Sequence, residues 1–138
     1  MSSYISVNLR NRLLAFDDNR CAYCHTKLSN SGFPMVVDHI QPISKGGVTS
    51  FENLCFCCHR CNLNKSNTTH QIDPLSGESI SLFHPHRDRW DEHFRWSEDG
   101  VHLLGLTATG RVTILALNMN NEEIVEARRN WAAVGWHP

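Results

Sequence analysis

The stretch VVDHIQPI, residues 36–43, decides how this chain is read. Met35, Val36 and Val37 open a short buried strand, and Asp38 and His39 interrupt it. A buried carboxylate beside an imidazole is costly unless something pairs with or binds them. Neighbouring strand residues point to opposite faces. The two therefore serve one site only where the strand twists or ends, and Pro42 ends it nearby.

Cysteine spacing supplies a frame around this strand. Cys21-x-x-Cys24 and Cys58-x-x-Cys61 are two pairs on either side of residues 25–57. Two such turns present four thiolates to one tetrahedral structural Zn2+, and zinc binding contributes folding free energy to a small, loop-rich unit. The cluster CFCCHRC leaves a choice, because Cys55-x-x-Cys58 has the same spacing. Cys58 and Cys61 are preferred: they precede a helix and leave Cys55 and Cys57 on a strand as small packing residues. His25 and His59 are the alternative ligands.

The rest of the chain reads as short elements around this knot. Ser6 caps a helix over Val7–Phe16, which Asp17-Asp18-Asn19 breaks. Lys45-Gly46-Gly47 reads as a flexible basic loop, Phe51–Phe56 as a second strand, and HRCNLNKS as a short helix. The turn Asp73-Pro74-Leu75-Ser76-Gly77 marks a boundary between units 1–72 and 73–138. Beyond it, FRWSEDGVHLLGLTATGRVTILAL alternates like a β-meander with turns at Asp99-Gly100 and Thr109-Gly110. A final helix over Glu122–Val134 follows Asn118–Asn121. Its Ile124, Arg128 stem, Trp131 and Val134 form a stripe that packs on the meander.

Composition narrows the function classes. At 138 residues, 41% hydrophobic and 20% charged, the chain is one ordinary globular domain or a domain with an appendage. No apolar run approaches the ~18 residues of a membrane span. MSSYISVNLR lacks the apolar core of a secretory signal, so a cytoplasmic location is expected, where six cysteines bind metal more readily than they form disulfides. The net charge of −1 argues against coating nucleic acid by bulk attraction. Residues 1–72 nevertheless carry seven Lys/Arg against four Asp/Glu, and residues 73–138 six against ten. Any phosphate-facing surface belongs mostly to the first half.

Taken in order, Cys21-x-x-Cys24, Val37-Asp38-His39-Ile40-x-Pro42, Gly46-Gly47, Ser50-Phe51-x-Asn53-Leu54 and Cys58-x-x-Cys61-Asn62-x-x-Lys65 resemble the HNH endonucleases. The variety resembled has a ββα-metal core braced by a four-cysteine zinc, and the match covers about Cys21–Ser66. The tail, with LFHPHRDRWDEHFRW and NWAAVGWHP, resembles uncharacterised bacterial HNH proteins and names no function.

The resemblance implies a role for each matching residue. His39 is the general base that takes a proton from the attacking water. Asp38 and Asn62 hold a divalent ion, Mg2+ or Mn2+, at the scissile phosphate. Asn53 braces the inter-strand loop and orients His39. Lys65 neutralises a neighbouring phosphate, with Lys45 and Arg60 as further substrate contacts. The family often has His where this chain has Asn62. An amide oxygen is a hard ligand, which favours Mg2+, and His59 is the nearby imidazole that could substitute.

The resulting expectation is an α+β fold: a zinc-braced ββα-metal core with an N-terminal helix, then a β-meander packed on the core and a C-terminal helix. The expected activity is metal-dependent hydrolysis of DNA. The rival readings are a non-catalytic zinc-containing nucleic-acid-binding module and a nuclease acting on RNA. In the second half, Arg87, Arg89 and Arg95 alternate with Trp90, Phe94 and Trp96. Anchoring the meander to the nuclease core is the expected role of these aromatics, with DNA contact as the alternative. His84, His86 and His93 are expected on the surface or in packing. A homodimer through the final helix would turn a nicking enzyme into a double-strand cutter.

Overall fold

Ser6 begins the first helix by accepting a hydrogen bond from the Leu9 amide on its side-chain oxygen, at 3.1 Å. This helix, α1, spans Val7–Phe16 and buries Leu13. The chain is described here from a computed structural model, over residues 4–138. Asp17 closes α1, and Asp18 and Asn19 turn the backbone through left-handed conformations that short polar side chains tolerate. The Asp17 carboxylate accepts the Phe56 amide at 2.8 Å, which ties the helix end to the first sheet.

The residues divide into two compact units. One runs up to Thr69 and includes His84–Arg87, and the other comprises His70–Phe83 and Asp88–Pro138. In the first, β1 (Val36–His39) pairs antiparallel with β2 (Leu54–Cys57), and α3 (His59–Lys65) follows directly. A further short helix, α2, spans Leu28–Ser31. The register sets Asp38 opposite Cys55 and His39 opposite Leu54. Every residue of β2 is buried, which accounts for its uninterrupted apolar and thiol run.

The connection between β1 and β2 is tied rather than flexible. Gly46 ends a 3-10 turn over Ile43–Lys45 with φ 89°, and the Gly47 amide donates to the Pro42 carbonyl at 2.9 Å. A Cβ on Gly47 would collide with the Gln41 carbonyl, so this glycine is needed for close approach.

The second unit departs from the expected meander. It holds a hairpin, β3 (His70–Ile72) with β4 (Ser79–Ser81), whose turn is the Asp73–Gly77 segment that reads in sequence as a boundary. Buried Asp73 organises this turn, accepting from the Leu75 amide and the Ser76 hydroxyl and taking a bidentate contact from Arg111 at 3.0 and 2.9 Å. A short helix, α4 (Trp90–His93), leads into β5 (Phe94–Trp96), which pairs with β6 (Leu103–Gly105).

The expected third strand is a helix, α5 (Ala108–Ala116). Thr107 caps it by accepting the Gly110 amide at 3.1 Å. Gly110 is therefore no turn glycine; a Cβ there would collide with the His93 carbonyl. Val112, Thr113 and Leu117 are buried, a helical spacing that the apolar run VTILAL concealed.

The last helix, α6, spans Glu122–Ala133 and is capped by Asn121, whose side chain accepts the Ile124 amide at 2.9 Å. Arg128 is wholly buried on it. Its guanidinium donates to the carbonyls of Val101 and Met119 and to Asn120, and lies over the Trp96 ring at 5.0 Å. Among the described residues, no helix is long and apolar enough to cross a membrane.

Candidate active site and metal centre

The Cys21, Cys24, Cys58 and Cys61 sulfurs all lie within 4.8 Å of one another, and Cys24 and Cys58 are 3.8 Å apart. Sulfurs at about 2.3 Å from one Zn2+ stand about 3.8 Å apart in a regular tetrahedron, so the donor set fits zinc. The Cys24 amide points at Cys21 Sγ at 3.4 Å, and the Ala22 amide donates to the Phe56 carbonyl, which fastens the turn to β2.

Packed this closely, the thiols cannot all ionise alone. Hydrogen bonds from Cys21, Cys58 and Cys61 hold the Cys24 thiol well below its ordinary value. Burial pushes Cys21 up, and hydrogen bonding with the neighbouring cysteines pushes Cys61 up. A divalent cation is what permits four thiolates together.

Cys55 and Cys57 are buried on β2 outside this cluster. His25 is also outside it, and burial lowers its pKa to about 4. His59 is exposed and stacks on Phe33 with ring centroids 5.8 Å apart.

Beside the zinc knot, three side chains from two elements converge on the buried Asp38 carboxylate. The Tyr23 hydroxyl, from the Cys21–Cys24 turn, donates to Oδ2 at 2.8 Å. The Lys65 ammonium, from α3, reaches the same oxygen at 3.0 Å and the His39 carbonyl at 3.2 Å. The Asn62 amide, also from α3, lies 3.4 Å from Oδ1. Turned over, that amide would present its oxygen beside Oδ1, giving two hard donors to a small cation.

His39, at the end of β1, is partly exposed, and its Nε2 lies 2.9 Å from Thr49 Oγ1. Asn53 spans the connection between the strands. Its carbonyl oxygen accepts the Gln41 amide at 2.8 Å, and its NH2 donates to the carbonyls of Gln41 and Val48. The Asn53 backbone carbonyl also accepts the Ile40 amide.

Residues 21–68, which contain the zinc knot, β1, β2 and α3, match the HNH endonuclease family. This segment is an HNH endonuclease domain.

A stretch of 54 residues is also 43% identical to the CRISPR-associated endonuclease Cas9 of Corynebacterium diphtheriae. The aligned stretch is 38% of this chain and 5% of that protein. No solved structure matches the chain.

Within the HNH domain, Asp38, Asn62 and Lys65 come together, with the His39 carbonyl against Lys65. Lys65 is the correction. It is 1% exposed and its ammonium is engaged by Asp38 and the His39 carbonyl, so it does not face a phosphate. Lys45 is exposed on the loop, and Arg60 is partly exposed in the first turn of α3.

Sequence reasoning did not single out Tyr23 or Thr49. A tyrosine inside a zinc turn has little freedom, and once buried its hydroxyl needs an acceptor, so Tyr23 carried a usable signal. Thr49 carried none.

Outside the HNH domain, the Trp90 ring packs on Phe94 and Trp96, with centroids 5.2 and 6.0 Å away. His93 Nδ1 lies 2.6 Å from Thr107 Oγ1. His86, in the first unit, reaches the Leu54 carbonyl at 2.7 Å.

Proposed function

We propose that the protein is a metal-dependent endonuclease that hydrolyses phosphodiester bonds in DNA, leaving a 5′ phosphate and a 3′ hydroxyl. The observation that carries this reading is the meeting of Asp38 and Asn62 beside the zinc knot, inside the segment that matches the HNH family.

Asp38 Oδ1 and the turned Asn62 amide would hold Mg2+ or Mn2+. Such an ion, when bound, stabilises charge on the scissile phosphate and the leaving 3′ oxygen. Mg2+ sites commonly use one or two protein oxygens and complete the shell with water and substrate phosphate, which suits so small a donor set.

His39 is the general base. With a proton on Nε2 donated to Thr49, its Nδ1 keeps a lone pair for the attacking water. Asn53 holds the Gln41–Val48 loop that carries Thr49's neighbour, and so fixes the wall against which His39 is oriented. Lys45 and Arg60, both reachable from solvent, are the phosphate contacts.

The test is supercoiled plasmid beside structured RNA, each with zinc-loaded protein in EDTA and then in Mg2+ or Mn2+. The reading predicts open-circle or linear DNA only with added metal. Cleavage of RNA alone would move the substrate assignment. Binding without cleavage in any metal would leave a nucleic-acid-binding zinc module.

A further inference from the structure

We infer that Tyr23 is a positioning residue for the catalytic ion: with Lys65 it occupies Asp38 Oδ2 and leaves Oδ1 as the single carboxylate oxygen open to metal. The inference rests on the proposed metal-dependent nuclease reading and deepens it.

Tyr23 is fully buried and lies between two zinc ligands in the Cys21–Cys24 turn. Its hydroxyl donates to Asp38 Oδ2 at 2.8 Å. Lys65, on the helix that carries the ligand Cys61, reaches the same oxygen at 3.0 Å. Each half of the zinc site therefore sends one donor to one oxygen. A carboxylate oxygen has two lone-pair directions, and a phenol and an ammonium engage both.

Oδ1 is left facing the Asn62 amide at 3.4 Å. The carboxylate can then meet an ion through one oxygen only. That suits Mg2+, which demands compact octahedral geometry, and removes the bidentate grip that Ca2+ often takes. The Lys65 charge also opposes a cation at the same carboxylate, so the ion is held firmly only when substrate phosphate joins it.

Without its hydroxyl, Tyr23→Phe keeps the ring in place and frees one lone-pair direction of Oδ2, with Lys65 still on the other. Wild type and Tyr23→Phe, each verified to hold one zinc per chain, are titrated with Mg2+ in plasmid cleavage. The half-saturating Mg2+ concentration is expected to rise on the order of 10–100-fold, the usual effect of losing a group that orients a metal ligand. The rate at saturating metal should change much less. Overlapping Mg2+ titrations from two active proteins would overturn the inference and leave the nuclease reading standing. A wild type that is inactive with every metal would overturn both.

Should Tyr23→Phe fail to fold or lose zinc, a wild-type crystal grown with a short DNA duplex and soaked in Mn2+ decides. The ion on Oδ1 alone, with Tyr23 still on Oδ2, is the expected arrangement. Both carboxylate oxygens on the ion, or Tyr23 turned away, would contradict it.

Discussion

Lys65 Nζ lies 3.0 Å from Asp38 Oδ2, and the two side chains are 2% and 5% exposed. The helix that carries the zinc ligand Cys61 thus neutralises a carboxylate of the first strand. Removing one partner of such a buried pair leaves an uncompensated charge, at a cost of about 3–5 kcal/mol. Lys65→Met is expected to lower unfolding free energy by roughly that amount in urea titrations. A phosphate-contacting lysine would instead leave stability unchanged and alter only the salt dependence of nucleic-acid binding.

Asp17 gives the first unit a pH dependence of unusual sign. Burial pushes its carboxyl up from an ordinary 3.8 to about 6, although the Phe56 amide and His86 both pull it down. The folded state therefore binds the proton more tightly than the unfolded chain. Its contribution is fully present below pH 3.8 and is lost as pH rises through about 6. Asp17→Asn keeps an acceptor for the Phe56 amide and does not titrate. Stability of wild type relative to this variant should fall between pH 4 and pH 6, measured by denaturant unfolding across that range.

The contact between His39 Nε2 and Thr49 Oγ1 predicts which ring nitrogen works. Thr49→Val removes the acceptor and lets the imidazole take the other tautomer. Cleavage should fall, by at most the 10²–10⁴-fold, approximately, that a general base contributes. Thr49→Ser should restore it, and zinc content should not move in either variant. Equal rates for the valine and serine variants would remove Thr49 from the account.

Zinc measurements separate the cysteines. Protein purified without added chelator should carry one zinc, and chelation should unfold the first unit, read as loss of near-ultraviolet circular dichroism. Cys61→Ser should lower zinc content, while Cys55→Ser should leave it intact because Cys55 lies outside the cluster.

Much of this fold was legible because its signals are local. Ser6 and Asn121 mark helix starts where the structure places caps, and the two CxxC turns announce the tetrahedral cluster. The α5 segment misled because a six-residue apolar run fits a strand or a buried helix equally, and Gly110 looked like a turn. The β3–β4 hairpin escaped because His70–Ile72 and Ser79–Ser81 are mostly exposed and show no apolar alternation.

At the site, the resemblance to the HNH endonucleases grouped Asp38, Asn62 and Lys65. Which of them faces solvent depends on how α3 lies against β1, and no local pattern encodes that. Lys65 was read outward for this reason, and Tyr23 was passed over as part of a zinc turn.

The most direct test of the central claim compares wild type with His39→Ala on supercoiled plasmid in saturating Mg2+, at matched zinc content and matched thermal stability. The account predicts metal-dependent conversion by wild type and a rate lower by roughly 10²–10⁴-fold in the variant. Equal cleavage by the two proteins, or an intact plasmid with folded wild type, would contradict it.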